Sequence, residues 1–378
     1  MADTQSVDKW WVFTPDIIGI IASFLHCKDA IKLCYLNKRF YAIFLIPVIR
    51  HSHVSINTDT IRNSRTTNLF KILSTMNLHI NGMRHIREPI FLYIEKLFSG
   101  SNNPNAWRNL HYISFGKSFN RKIDMLPENI REIAFHPKSV FNQKISKLNC
   151  PNLKGIYFGK FYNQKIDFLP ASIETIHFSE SSKFDKPIRN VPAALKEIYF
   201  GQWFNHDISS IWSAQNIYKL QFSVRSKFLH PITPSYSLQI LNLGMYYNVA
   251  LDLLPTNLRS LRFHKLSHYN CELTIPYTLV MLIIGEKFDK ELNIGTNTNL
   301  STIQFYAKAR FNQKLEVPYS CKTLVIGRHF NNQLIGGSGL EVLKFCKYSK
   351  FNRELDGLEK NKILLIIGGS ANHIAQNQ

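Results

Sequence analysis

The stretch that decides the fold is residues 152–170, NLKGIYFGKFYNQKIDFLP, followed at once by a variant of itself, residues 172–192, SIETIHFSESSKFDKPIRNVP. Each opens on an apolar triplet spaced φ-x-x-φ-x-φ: Leu153, Ile156 and Phe158, then Ile173, Ile176 and Phe178. The last two members lie two apart, which puts them on one face of a short strand. Each stretch then reaches an aromatic followed by Asn or Asp, Tyr162-Asn163 and Phe184-Asp185. An apolar residue comes three positions later (Ile166, Ile188), and after it Leu169-Pro170 or Val191-Pro192. Working outward, the aromatic–Asn pair or a near relative recurs twelve times from Phe119-Asn120 to Phe351-Asn352, at steps of 19 to 24 residues. A fixed period of this kind marks an array in which each unit buries its apolar face only against its neighbours.

A second regularity rides on the first. Every other strand is followed by Gly, at Gly116, Gly159, Gly201, Gly244, Gly285, Gly327 and Gly368, in steps of 41 to 43. After these strands the aromatic comes four residues beyond the last strand apolar; after the others it comes six beyond. The physical unit is therefore about 42 residues, two coils with alternating turns. Gly is expected to give the short turn its backbone freedom. The Phe rings are expected to stack as a spine through the core. The Asn is expected to be buried and to bond the backbone of its own and adjacent turns. Leu229 stands in for Asn after Phe228 and cannot do so. Gly336-Gly337-Ser338-Gly339 reads as a turn.

The strand spacing is that of a leucine-rich repeat, and the array resembles FNIP repeats, a family named for a Phe-Asn-x-x-Ile signature. That signature stands here as Phe141-Asn142-Gln143-Lys144-Ile145 and Tyr162-Asn163-Gln164-Lys165-Ile166. The resemblance covers roughly residues 108–368.

Upstream, residues 13–46 read as three short helices. Thr14 suits an N-cap, Pro15 the first turn and Asp16 the positive helix end. Ile17, Ile18, Ile21, Phe24 and Leu25 then form one apolar face. This segment resembles an F-box: Phe13 fills the leading Leu position, Ile21 and Leu25 the helix-one pair, Asp29 the acidic position, and Leu36-Asn37-Lys38-Arg39-Phe40 the ending. Thr14 stands where the family has Pro, with Pro15 one residue late. F-box plus FNIP repeats is an arrangement of slime moulds and of giant viruses of amoebae. The resemblance implies an adaptor-binding surface of Phe13, Ile17, Ile18, Ile21, Phe24, Leu25, Leu36 and Phe40. It implies a substrate-recruiting subunit of a cullin-RING-type ubiquitin ligase, with that adaptor and an unknown target protein as partners. The alternative is an interaction scaffold unrelated to ubiquitin, its helices a cap on the solenoid.

The expected fold class is α+β: short F-box-like helices at 10–49, a helical connector at 50–107, a leucine-rich-repeat-like parallel β solenoid of about twelve coils at 108–368, and a tail at 369–378. The connector is read from helix-spaced Leu69, Ile72, Leu73 and Met76, then Ile90, Ile94, Leu97 and Phe98. In each solenoid strand the residue between the last two apolar positions points outward. Tyr157, His177 and Tyr199 fall in that column on successive strands and are the candidate target-binding residues.

Lys plus Arg is 46 and Asp plus Glu 26, a net charge of +20. No run of five or six basic residues concentrates it, and no nucleic-acid-binding motif accompanies it, so nucleic acid is not an expected partner. Six scattered cysteines without a CxxC pair read as free thiols in a reducing compartment, and a cytoplasmic location (host cytoplasm for a viral protein) is expected. The polar N-terminus lacks a signal-peptide core, and no apolar run approaches the ~18 residues of a spanning helix. No catalytic motif or cofactor loop stands out. His264, His268 and Cys271 have ligand-like spacing but sit in one repeat's turn, so no metal is expected.

Overall fold

The structure is a computed structural model. It describes residues 53–57, 77–81, 111–355 and 364–367, except 118, 121, 124–125, 127, 146–147, 233–235 and 296–297. The F-box-like helices, Gly368 and the tail lie outside these residues. The chain divides into two compact units, Met1–Phe141 with Lys147–Ile156, and Asn142–Ser146 with Tyr157–Gln378.

In the first unit the strands His53–Asn57, Asn77–Asn81, Tyr112–Phe115 and Glu132–Phe135 pair in parallel in that order. The first two fall where a helical connector was expected. The period-two pairs Val54 and Ile56, and Leu78 and Ile80, are the strand signal there, set in register with Ile113 and Phe115. The helix-spaced residues of that stretch lie outside the described ones. Among the described residues there is no α-helix.

The second unit is a parallel solenoid whose front strands follow one another from Thr175–Phe178 and Glu197–Phe200 to Val342–Phe345 and Leu364–Ile367. Their register stacks like on like: Ile176 opposite Ile198, Ile198 opposite Leu220, and Leu220 opposite Leu241. The triplet apolars are buried along the array. On the return path Leu273–Ile275 pairs with Leu292–Ile294, and Leu315–Val317 with Leu334–Gly336, as short parallel strands. One return is instead a 3₁₀ turn, Ser209–Ser213. The turn expected at 336–339 is there, with Gly336 and Gly337 at φ of 78° and 79°, a region only glycine enters freely.

The aromatic spine forms as expected, and it is double. Pair aromatics stack from coil to coil, as Phe184–Phe204 at 5.8 Å, Tyr247–Tyr269 at 6.4 Å and Phe311–Phe330 at 5.9 Å between centroids. Where the strand also ends in Phe, that ring stacks on its own coil's aromatic: Phe200 on Phe204 at 3.9 Å, Phe178 on Phe184 at 4.1 Å. Each such buried ring is worth roughly 1.5–3 kcal/mol of transfer free energy.

Two expectations are corrected. The Asn of the pair is not buried; it is exposed or half-exposed, as at Asn205, Asn270 and Asn163. Its Oδ1 accepts the backbone N–H of the equivalent residue one coil on: Asn163 N to Asn142 at 2.8 Å, Asn270 N to Asn248 at 2.9 Å, Asn331 N to Asn312 at 2.7 Å. Only an acceptor is needed, which is why Asp185 and Asp289 serve equally, receiving Asn205 N at 3.2 Å and Asn312 N at 2.9 Å. Leu229 donates its N–H to Asn205 Oδ1 at 2.9 Å but has no oxygen to offer Asn248, so the ladder loses one rung there.

The recurring Gly is required by space and not by φ. Among the described glycines only Gly336 and Gly337 have positive φ. A Cβ at Gly201 would lie 2.4 Å from Ser182 Cβ and 2.6 Å from the Ser179 carbonyl. At Gly244 it would meet the Ser223 carbonyl at 2.6 Å and Ser226 Cβ at 2.8 Å, and at Gly285 it would meet Ser267 Cβ at 2.6 Å. The turns at Gly201, Gly244, Gly285 and Gly327 therefore nest on the long turns that precede them. The long turn carries a small residue two before its aromatic, Ser139, Ser182, Ser226, Ser267, Ala309 or Ser349. The serines are buried, and their Oγ accepts the aromatic's own N–H, as Phe184 N to Ser182 at 3.1 Å and Tyr269 N to Ser267 at 3.2 Å.

Candidate functional site

Alternation of side chains along each four-residue strand leaves two outward positions, the first and the third. In the third column of the second unit the strand register brings Tyr199 between His177 and Gln221, and Asn242 beyond. Tyr157, His177 and Tyr199 are all half-buried on this open face. Their rings form one strip: Tyr157 to His177 at 5.8 Å, tilted by 39°, and His177 to Tyr199 at 4.4 Å, stacked within 11°. The three target-binding candidates named from the sequence are thus brought together. In the first unit Ser114, at the same strand position, is buried at 4% exposure and so departs from the expected outward pattern.

Electrostatics fix the strip in place. Tyr199 donates its hydroxyl to Glu180. Burial, then that hydrogen bond and the Glu180 charge, push its phenol well above the usual range. Burial is also the main reason that the His177 pKa is lowered, with Lys219 adding to it and Glu180 opposing, so the imidazole is neutral near pH 7. The sequence reading missed the first outward column beside the strip. There Glu197 accepts from Tyr218 and from Lys219, the latter at 2.9 Å. Burial alone would raise the Glu197 carboxyl, but those two donors outweigh it and its pKa is lowered. The missed signal was the run of ionisable residues at strand position one, Glu197 then Lys219, opposite each other in register.

The strip is an aromatic patch of amphipathic rings with polar groups at its margin, the composition of a protein contact. The eight adaptor-binding candidates, Phe13 to Phe40, lie outside the described residues. His264, His268 and Cys271 have other engagements: His264 Nδ1 accepts Leu266 N at 3.2 Å, His268 packs edge-on to Tyr246 at 5.4 Å, and Cys271 Sγ faces the Asn248 carbonyl at 3.9 Å.

No protein-family model matches the chain, and no curated protein matches its sequence. Among solved structures it is similar to CroV588, a circular leucine-rich-repeat protein of a giant virus, with 25% identity and a TM-score of 0.58 over 73% of this chain. The match covers 42% of CroV588, so this chain spans less than half the length of that relative. A second similar structure is an internalin, InlF of Listeria monocytogenes, at 16% identity and a TM-score of 0.46, covering 69% of this chain and 81% of InlF. The likeness to CroV588 supports a leucine-rich-repeat-like solenoid, a fold typical of protein–protein interaction.

Proposed function

We propose that this chain is a non-catalytic recognition subunit: the open face of its solenoid captures a protein target, and its N-terminal F-box-like helices bind the adaptor of a cullin-RING-type ubiquitin ligase in the cytoplasm. The observation that carries the first half is the Tyr157–His177–Tyr199 strip. Three rings held on a rigid strand ladder lose little side-chain freedom on binding, and buried aromatic anchors of this kind often cost 2 kcal/mol or more when truncated. The second half is supported by the F-box-like spacing of Ile21, Leu25 and Phe40. In this reading the ligase chemistry belongs to other subunits, and the chain needs neither cofactor nor metal.

Tandem-affinity purification from amoebal cells tests both halves. The wild-type chain should recover the adaptor, the cullin and a target. Replacing Tyr157, His177 and Tyr199 by Ala should remove the target and keep the adaptor. Ile21→Asp, which puts a charge on a face that must be desolvated, should remove the adaptor and keep the target. Adaptor recovery unchanged by Ile21→Asp in a folded protein would sink the ligase reading; target recovery unchanged by the triple substitution would sink the strip.

A further inference from the structure

The +20 charge is gathered in no run of the sequence, yet the coil pitch of the second unit brings a net +9 of it (11 − 2) to one edge. Among the described residues ten turns lead from a front strand of this unit to its aromatic: residues 159–161, 179–183, 201–203, 223–227, 244–246, 264–268, 285–287, 306–310, 327–329 and 346–350. They stack level with level through backbone bonds, as Lys183 N to the Lys160 carbonyl at 2.7 Å, Lys227 N to Gln202 at 2.8 Å and Arg310 N to Glu286 at 2.8 Å. These turns hold eleven Lys or Arg and only two Asp or Glu, against 46 and 26 in the whole chain.

The opposite edge, where the chain enters the strands, is different. Its lysines are paired across coils: Lys196 with Glu174 at 2.7 Å, Lys219 with Glu197 at 2.9 Å and Lys322 with Glu341 at 3.0 Å. On the turn edge, among the described residues, the ion pair is Lys265 with Glu286 at 3.8 Å. Like charges stacked at coil spacing repel one another, and a bound polyanion would relieve that repulsion.

Rings are set among these cations. The residue just before the pair aromatic reads Phe161, Lys183, Trp203, Lys227, Tyr246 and His268 over six successive coils, an alternation of aromatic and basic. The three rings are 37%, 43% and 40% exposed, so each presents surface to solvent. Lys183 Nζ lies 5.0 Å from the Phe161 centroid and Lys227 Nζ 3.6 Å from that of Trp203. A ring with an ammonium beside it offers a nucleotide both of its contacts, a stacking surface for the base and a charge for the phosphate.

We propose that this edge is a track for single-stranded nucleic acid, with phosphates along the cations and unstacked bases on Phe161, Trp203 and Tyr246. An acidic peptide would use the cations and leave the rings idle, and a duplex keeps its bases stacked away from them. The turn 179–183 also holds Glu180, which accepts from Tyr199, but the cations and rings of the track are none of the strip's residues, so each can be tested by its own substitutions.

The test is fluorescence anisotropy of the full chain with a fluorescein-labelled single strand of mixed-sequence DNA, competed by polyglutamate, across a salt series. Binding should weaken steeply with salt. Lys183→Gln with Lys227→Gln should weaken it about tenfold or more, while Lys322→Gln on the opposite edge should leave it unchanged. Trp203→Ala should weaken DNA binding about tenfold yet leave polyglutamate binding unaltered, and Trp203→Phe should restore most of the loss. The melting temperature of each variant controls for folding. DNA binding indifferent to the Lys183 and Lys227 pair overturns the proposal. So does equal capture of polyglutamate with no effect of Trp203→Ala, which would make the partner an acidic protein.

Discussion

Gly285→Ala is predicted to destabilise the solenoid by about 2–3 kcal/mol, the upper part of the range for overpacking. The added Cβ would stand 2.6 Å from Ser267 Cβ, 2.9 Å from the His264 carbonyl oxygen and 3.3 Å from Ser267 Cα. Reaching ordinary contact at 3.4 Å means opening the two coils by about 0.8 Å, from 2.6 Å. They cannot part freely, because Ser260 to Arg262 pair with Met281 to Ile283 on one side and Asp289 N bonds Asn270 Oδ1 at 2.8 Å on the other. Urea unfolding with a constant slope reads the change as a shift in midpoint. Removing the opposing Cβ should give part of the stability back. In the double variant with Ser267→Gly the loss should be smaller than the sum of the singles by about 1 kcal/mol or more. Ser267→Ala loses the same bond to Tyr269 N but keeps its Cβ, and should give no such relief. Gly295→Ala, with nothing within 4 Å of the new methyl, should cost nothing. If Gly285→Ala is as stable as Gly295→Ala, or if Ser267→Gly and Ser267→Ala behave alike beside it, close nesting is not why Gly recurs.

Leu229→Asn should stabilise by about 1 kcal/mol, by giving Asn248 N–H the acceptor that every neighbouring rung has, whereas Asn270→Leu should cost a similar amount and Asn270→Asp little; urea midpoints compare the three. Deleting Ile240–Val280, a Gly coil and a Ser coil, should leave a cooperative melt. Deleting Ile240–Arg259 alone would set the Ser226 turn against the Ser267 turn with no Gly between, and should melt markedly lower. The Cys150 thiol is pushed up to about 12 by burial and then by Glu128, and Cys321 up to about 11 by burial. A folded pKa above the unfolded value gives stability that is complete below the ordinary thiol value of 9.0 and lost as pH rises through the folded value. The urea midpoint should therefore fall between pH 9 and 12, and replacing both cysteines by Ala should flatten that fall.

Much of this was legible because a solenoid translates sequence period directly into spatial columns. The triplet Ile173, Ile176 and Phe178 gives the strand, and a common register then places His177 beside Tyr199 without further information. The reasons behind two repeated residues were not legible. Gly201 has the same letter whether it is needed for φ or for space, and only the 2.4 Å approach to Ser182 decides. The Ser column was visible as Ser-x-aromatic in alternate coils, but it looks like ordinary turn composition until Gly is seen resting on it. Asn163 was expected inside, bonding backbone groups that the strand ladder leaves open. At the surface one Oδ1 per coil does the same work for the next N–H, as the bond from Asp185 N at 3.0 Å shows. The strands at His53–Asn57 and Asn77–Asn81 were missed because they lack the aromatic–Asn pair that announces later coils.

The central claim, that the target lies on the open sheet face, is tested most directly by a photo-crosslinking amino acid placed at single positions. Gln221 stands next to Tyr199 in the outward column, while Glu316 is exposed on a return strand. Crosslinking in amoebal cells at Gln221 should yield one protein adduct, absent when Tyr157, His177 and Tyr199 are replaced by Ala, and absent from Glu316. An adduct formed from Glu316 as readily as from Gln221, or one that survives the triple substitution, would contradict the account.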